Sequence, residues 1–168
     1  IQECAMKAIL LNGPSSAGKS SISKELCGLI CCGDRSNTRI ISIDDYVVAS
    51  PQEPIWEDDV FGIMPQMCAD VKDAVQQGQN VIIDHVITSE RIFDSLMLAL
   101  SEFDTVIRVL VKCSLSILRE RERRRQDRYI GSAEDSLKYL YPQDGYDVFI
   151  DSGNSSPAEA ARIIAAIF

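Results

Sequence analysis

The stretch Gly13-Pro14-Ser15-Ser16-Ala17-Gly18-Lys19-Ser20-Ser21 directly follows the apolar run Ala8–Asn12. A glycine, four residues, then Gly-Lys-Ser is the spacing of a phosphate-binding P-loop. Gly13 and Gly18 let the backbone turn so that its N–H groups point at phosphate oxygens, and the N-terminus of the next helix adds a positive dipole end. Lys19 supplies a mobile charge for β and γ phosphates, and the Ser20 hydroxyl is placed to ligate Mg²⁺. A chance match in a turn is disfavoured, because an apolar strand precedes the loop and a helical pattern follows it.

Three further groups have the residue types that phosphoryl transfer needs. Asp44, in Ile-Ser-Ile-Asp-Asp-Tyr, ends an apolar run with Asp45 beside it. A carboxylate there could take a proton from a hydroxyl or hold a water on Mg²⁺. Adjacent residues point different ways, so Asp44 is expected to face the site and Asp45 to point away. Asp84, in Val-Ile-Ile-Asp-His-Val, stands where a Walker B acid would reach the Mg²⁺ shell; His85, the single histidine, reads as structural. The segment Arg119–Arg128 is rich in arginine. Mixed charge on a helix usually marks a solvated face. Arg125 and Arg128, however, fall where the helix should run out before Gly131, and arginine forks bind transferring phosphoryl oxygens. They are expected to act as lid arginines on a hinged segment at about 121–134. Arg119, Arg121, Arg123 and Arg124 read as solvated or nucleotide-facing.

These residues need a scaffold, and the hydrophobic pattern supplies one. Short apolar runs predict strands at Lys7–Asn12, Thr38–Asp44, Val81–Val86, Thr105–Cys113 and Tyr146–Asp151. Between them, amphipathic stretches predict helices at Lys19–Ile30, Pro65–Asn80, Ser89–Phe103, Leu115–Arg125, Ser132–Leu140 and Ser156–Phe168. Pro65 is read as a helix start, and Ser132 with Asp135, like Ser156 with Glu159, has capping-box spacing. Strands apolar along their whole length, alternating with helices, imply an α/β fold. The sheet is five-stranded and mainly parallel, with both faces covered by helices. In such sheets the ligand lies beyond the carboxyl ends of the strands. The loop Asp151–Pro157 would then lie near the P-loop, where a nucleotide base could sit.

Composition narrows the partners. The 168 residues suffice for one domain, 1–168, and the formal net charge of −8 disfavours nucleic acid and anionic lipid as general partners. No apolar run reaches membrane-spanning length, and Ile1–Lys7 lacks the pattern of a signal peptide. The six cysteines (Cys4, Cys27, Cys31, Cys32, Cys68, Cys113) lack zinc-site spacing and read as reduced thiols of a cytoplasmic protein.

Together these stretches resemble the chloramphenicol phosphotransferase-like kinases. The carriers are the Gly-Pro-Ser-Ser-Ala-Gly-Lys-Ser loop, the Ile-Ser-Ile-Asp-Asp-Tyr strand end, Val-Ile-Ile-Asp-His-Val, the arginine-rich lid, and the final Tyr146–Ile164 strand, loop and helix. The resemblance runs from about Ala8 to the C-terminus. It implies a P-loop kinase-like three-layer sandwich and ATP-dependent phosphorylation of a hydroxyl on a small molecule, with ATP and Mg²⁺ as cofactors. By position it makes Gly13 to Ser21 the nucleotide cradle, Ser20 the Mg²⁺ residue and Asp44 the base, with Arg125 and Arg128 as lid arginines. His85 replaces an acid of the family pattern. The segment Tyr46–Gln66 departs from it most and is expected to line the acceptor pocket with Tyr46, Trp56, Phe61 and Met64. Two rival readings are a zeta-toxin-like sugar-nucleotide kinase and a nucleotide-binding regulatory module without transfer activity. A GTPase is disfavoured by the lack of an Asn-Lys-x-Asp motif.

Overall fold

Runs such as Ala8-Ile9-Leu10-Leu11 and Val81-Ile82-Ile83 have no polar face, so they are stable only as strands covered on both sides. A computed structural model of the chain, describing residues 5–31 and 37–168, arranges them in this way. Cys4 and Cys32 lie outside the described residues. The elements are β1 (Lys7–Asn12), α1 (Lys19–Ile30), β2 (Thr38–Ser42), α2 (Glu57–Gln76), β3 (Asn80–His85), α3 (Glu90–Leu100), β4 (Thr105–Lys112), α4 (Leu115–Arg125), α5 (Ser132–Lys138), β5 (Val148–Asp151) and α6 (Pro157–Ala165). The sheet is five-stranded with the order β2-β3-β1-β4-β5, and every pairing is parallel.

Side-chain alternation divides the core in two. Ala8, Leu10, Val81 and Ile83 pack with Met64, Met67 and Val71 of α2 and Ile92 and Leu96 of α3. Ile9, Leu11, Ile82, Val109 and Val111 face the other way, onto Ile22 and Leu26 of α1, Leu118 of α4 and Ala160, Ala161 and Ile164 of α6. The result is the three-layer sandwich expected, and all five strands deliver their carboxyl ends to one edge.

Several element ends differ from the sequence reading, and three local differences have a physical reason. The second strand stops at Ser42, and Ile43–Asp45 form a 3₁₀ turn whose Asp44 N–H is accepted by Ser42 Oγ at 3.4 Å. The helix expected to open at Pro65 opens at Glu57, so Pro65 lies in its interior. The earlier start has physical support. Asp59 accepts the Trp56 N–H at 3.0 Å, and Glu57, Asp58 and Asp59 set three carboxylates in the first turn, where the helix dipole favours them. Pro65 removes one helical N–H, but Met64 and Met67 on either side are wholly buried, and their burial carries the helix through. At α5 the cap is Gly131, with φ +104°, and the box expected from Ser132 and Asp135 does not form. The box at Ser156 and Glu159 does form, with reciprocal bonds of 3.1 and 3.2 Å.

Candidate active site

The loop between β1 and α1 is built by two unusual backbone conformations and one close approach. Ser16 and Gly18 have φ of +67° and +94°. Gly13 is required for a different reason. A Cβ there would lie 2.1 Å from the Val111 carbonyl oxygen of β4, which no side chain survives. The loop closes on itself through Ala17 N–H to Pro14 O at 3.2 Å, and Ser15 N–H donates to Ser136 Oγ of α5 at 2.9 Å.

The cations and anions converge on this loop from separate elements. Lys19 is 5% exposed, and its Nζ donates to Pro14 O at 2.9 Å. Burial pushes its ammonium below the usual lysine range. Asp84 and Asp44 pull it back up, while Arg125 and Arg128 push it further down. Ser20 Oγ donates to Asp84 Oδ2 at 2.6 Å, and Ser42 Oγ donates to the same oxygen at 3.4 Å. The parallel register explains the trio. Ser42 of β2 is paired with Asp84 of β3, and both face the first turn of α1. Arg128 Nη2 donates to Asp44 Oδ2 at 2.9 Å, and Arg125 Nε reaches Asp127 Oδ1 at 3.3 Å. Lys19, Ser20, Asp44, Asp84, Arg125 and Arg128 line a cleft of about 610 Å³, together with Ile43, Val86, Arg121, Ser152 and Ser155–Pro157.

The cleft fits a phosphate-bearing ligand on two observations. The Ser16 hydroxyl and Arg128 Nε are buried without partners among the described residues, and both belong to groups that contact phosphate elsewhere. For a divalent cation, Ser20 and Asp84 provide one hydroxyl and one carboxylate. Mg²⁺ typically takes such a sparse set from protein, completing its shell with phosphate oxygens and water. Among the described residues no group of three or more His, Cys, Asp or Glu is gathered that could hold a metal ion.

The model of the family described as "Chloramphenicol phosphotransferase-like protein" matches residues 6–168. The chain belongs to that family. No curated protein matches it significantly. Solved structures share its fold. The Mycobacterium tuberculosis APS kinase, in complex with AMPPNP and APS, has a TM-score of 0.73 at 13% identity, with 97% of each chain covered. A gluconokinase from Sinorhizobium meliloti 1021 has a TM-score of 0.67 at 22% identity, covering 95% of this chain and 90% of that one. The tunicamycin resistance protein of Deinococcus radiodurans has a TM-score of 0.62 at 19% identity, covering 96% and 95%. Family and fold together make the chain a P-loop phosphotransferase of the kinase type.

In this member of the chloramphenicol phosphotransferase-like family, the cleft gathers Lys19, Ser20, Asp44, Asp84, Arg125 and Arg128, which come from four separate stretches of the sequence. Asp45 does not line it. The four residues expected to line the acceptor pocket lie outside this cleft. Met64 is core, Phe61 lies under the Arg91 guanidinium at 4.1 Å, Tyr46 donates to Asp70, and Trp56 is 65% exposed. None of the four lines the cleft.

Arg121 is more than a solvated or nucleotide-facing side chain. Its Nη1 donates to Ala17 O at 3.2 Å and its Nη2 to Ser152 O at 2.7 Å, so it ties the P-loop to the loop after β5. Sequence reasoning also missed Ser42, Ser136 and Glu122. Ser42 and Ser136 carry no local signal, since each acts on a residue distant in sequence. Glu122 carries none either, since Glu120, with arginines on both sides as well, is exposed. His85 is fully buried, and neither ring nitrogen reaches a partner in good geometry among the described residues. Burial lowers its pKa to about 4, with Lys19 adding to the fall and the Val86 backbone opposing it.

Proposed function

We propose that the protein moves the γ-phosphate of ATP to a hydroxyl of a small molecule, with Mg²⁺ as cofactor. The observation that carries this reading is the convergence of a P-loop lysine, a strand-end carboxylate and two arginines on one cleft at the carboxyl edge of the sheet. Residues Gly13 to Ser21 would cradle the phosphates. Ser20 and Asp84 would hold Mg²⁺, which when bound neutralises phosphate charge. Lys19 is already desolvated, so its charge acts on a phosphate oxygen with little screening. Asp44 accepts the proton of the attacking hydroxyl. Arg125 and Arg128 lie along the same cleft and stabilise the charge on the transferring group. Arg128 is paired with Asp44, so it lies beside the carboxylate that would take the acceptor's proton.

The test is transfer of label from γ-³²P-ATP to a panel of hydroxyl compounds: chloramphenicol, hexoses, gluconate, nucleosides and sugar nucleotides. Asp44→Asn keeps the shape but cannot take a proton, and should lower transfer by about 10² to 10⁴ with nucleotide binding little changed. Asp45→Asn should cost under tenfold. Transfer by Asp44→Asn at the parental rate overturns the assignment of the base. Absence of transfer to every class, with ATP still bound, favours a nucleotide-binding module.

A further inference from the structure

We propose that Glu122 is a positioning residue for phosphoryl transfer, acting through Arg128; this rests on the kinase reading above. Glu122 is a carboxylate with 2% exposure on α4, three residues before the end of that helix. Its neighbours in sequence are arginines, yet none of them holds it. Its Oε2 accepts the Gly131 N–H at 3.0 Å, and its Oε1 accepts the Ala133 N–H at 2.8 Å. Both of its oxygens are thus spent on the backbone at the start of α5.

The chain between these anchors carries Arg128. It leaves α4 at Gln126, with φ +57°, and returns at Gly131, with φ +104°. Both turns are in the left-handed region, which makes the segment 126–131 a narrow loop. Helix α4 holds its first end and Glu122 its second. Arg128 projects from this loop into the cleft, 10% exposed, with its Nη2 on Asp44. One turn further, Ser136 of α5 accepts the Ser15 N–H of the P-loop at 2.9 Å. That contact seats α5 on the phosphate loop without Glu122, so the clamp at Glu122 sets chiefly the distance of Arg128 from Asp44. A flap hinged at both ends would bring Arg128 to the reacting group by diffusion. A flap pinned at one end holds it there beforehand, and a preset donor needs no reorganisation during reaction.

Removing one acceptor oxygen separates positioning from bulk stability. Glu122→Gln turns a donor NH₂ toward a backbone N–H and opens the clamp without changing the volume. The probe is γ-³²P-ATP with Mg²⁺ and water as acceptor, with kcat and KM read separately. Glu122→Gln should lower kcat at least tenfold and move KM for ATP less than threefold. The same substitution in an Arg128→Ala background should lower kcat less than threefold, because the residue it positions is gone. Gly131→Ala strains the other side of the clamp through its φ of +104° alone, since no atom lies within 4 Å of the added Cβ. It should reproduce the pattern in a chain that keeps Glu122, which covers the case in which Glu122→Gln does not fold. Equal losses in both backgrounds, tracking a fall in Tm, overturn the proposal and leave Glu122 a structural cap. A parental chain that binds ATP yet transfers phosphate neither to water nor to any hydroxyl of the panel above points instead to failure of the kinase reading. In that case the clamp is read from the ¹⁵Nε–H signal of Arg128. Glu122→Gln should broaden that signal or shift it toward solvent values, and an unchanged signal overturns the positioning role.

Discussion

Arg128→Ala should separate activity from stability more cleanly than any other substitution in the cleft. The activity side follows from position. Arg128 is a nearly buried guanidinium beside Asp44, and loss of one preorganised donor to a transition state costs about 3 kcal/mol, or more than a hundredfold in rate. On the stability side two terms oppose. The ion pair with Asp44 is lost, but Asp44 remains 43% exposed and can return to water, so the pair contributes at most about 1 kcal/mol. Against that, Arg128 Nε is buried without a partner, and removing it relieves a desolvation cost of about 1–3 kcal/mol. Loss of the packing of the buried Arg128 stem offsets most of that gain, so the net change stays within about 1 kcal/mol, and a domain of this size shifts by about 2–4 °C per kcal/mol. The assay is phosphate release or transfer from γ-³²P-ATP, run beside calorimetric melting and ATP binding by titration. The expected result is a hundredfold slower turnover, binding within a few-fold, and a Tm within about 4 °C of the parent. Turnover within threefold of the parent would refute the reasoning, as would an activity loss matched by a comparable loss of folded protein.

Two further outcomes follow from the buried ionisable groups. Lys19→Met keeps the stem and removes a desolvated ammonium, so ATP affinity measured by calorimetry should fall at least tenfold while Tm holds or rises slightly. An unaltered affinity would remove Lys19 from the phosphate site. His85 links stability to pH: its folded pKa is about 4 against about 6.5 unfolded, so between those values the unfolded chain binds more protons. Stability should therefore decline as pH falls from about 6.5 to about 4, by about 3 kcal/mol in total, and urea midpoints of His85→Leu should lack that component. Parallel pH profiles for parent and variant would sink the assignment.

The parallel sheet was legible because its strands are apolar on both faces, a pattern that a half-exposed sheet does not produce. The P-loop was legible because its constraints are local: turn, dipole and lysine occupy consecutive residues. Asp44 and Asp84 followed from the rule that chemistry gathers at strand carboxyl ends, and Arg125 and Arg128 from their place where a helix runs out before Gly131; all four line the cleft. What the sequence hid was non-local. Pro65 looked like a helix start because proline favours that position, yet the buried methionines around it outweigh the lost hydrogen bond. Gly131 displaced the better-looking Ser132 as a cap because the N–H groups of that turn are taken by Glu122, nine residues earlier. Arg121 was one of several arginines in a row, and only the packing of α4 against the P-loop singles it out.

The packing around Gly13 to Ser21 bears on how far such a loop can be moved between proteins. Nine residues with the right spacing look like a cassette that could be exchanged for another kinase's version. Here the cassette is keyed on every side. Gly13 abuts the Val111 carbonyl, Ser15 rests on Ser136, Ala17 on Arg121, and Ser20 on Asp84. These partners come from β4, α5, α4 and β3, so a transplant would have to carry contacts from four other elements to keep its shape. The heritable unit is a constellation spread over most of the chain, and a swap confined to the loop would import the motif without its geometry.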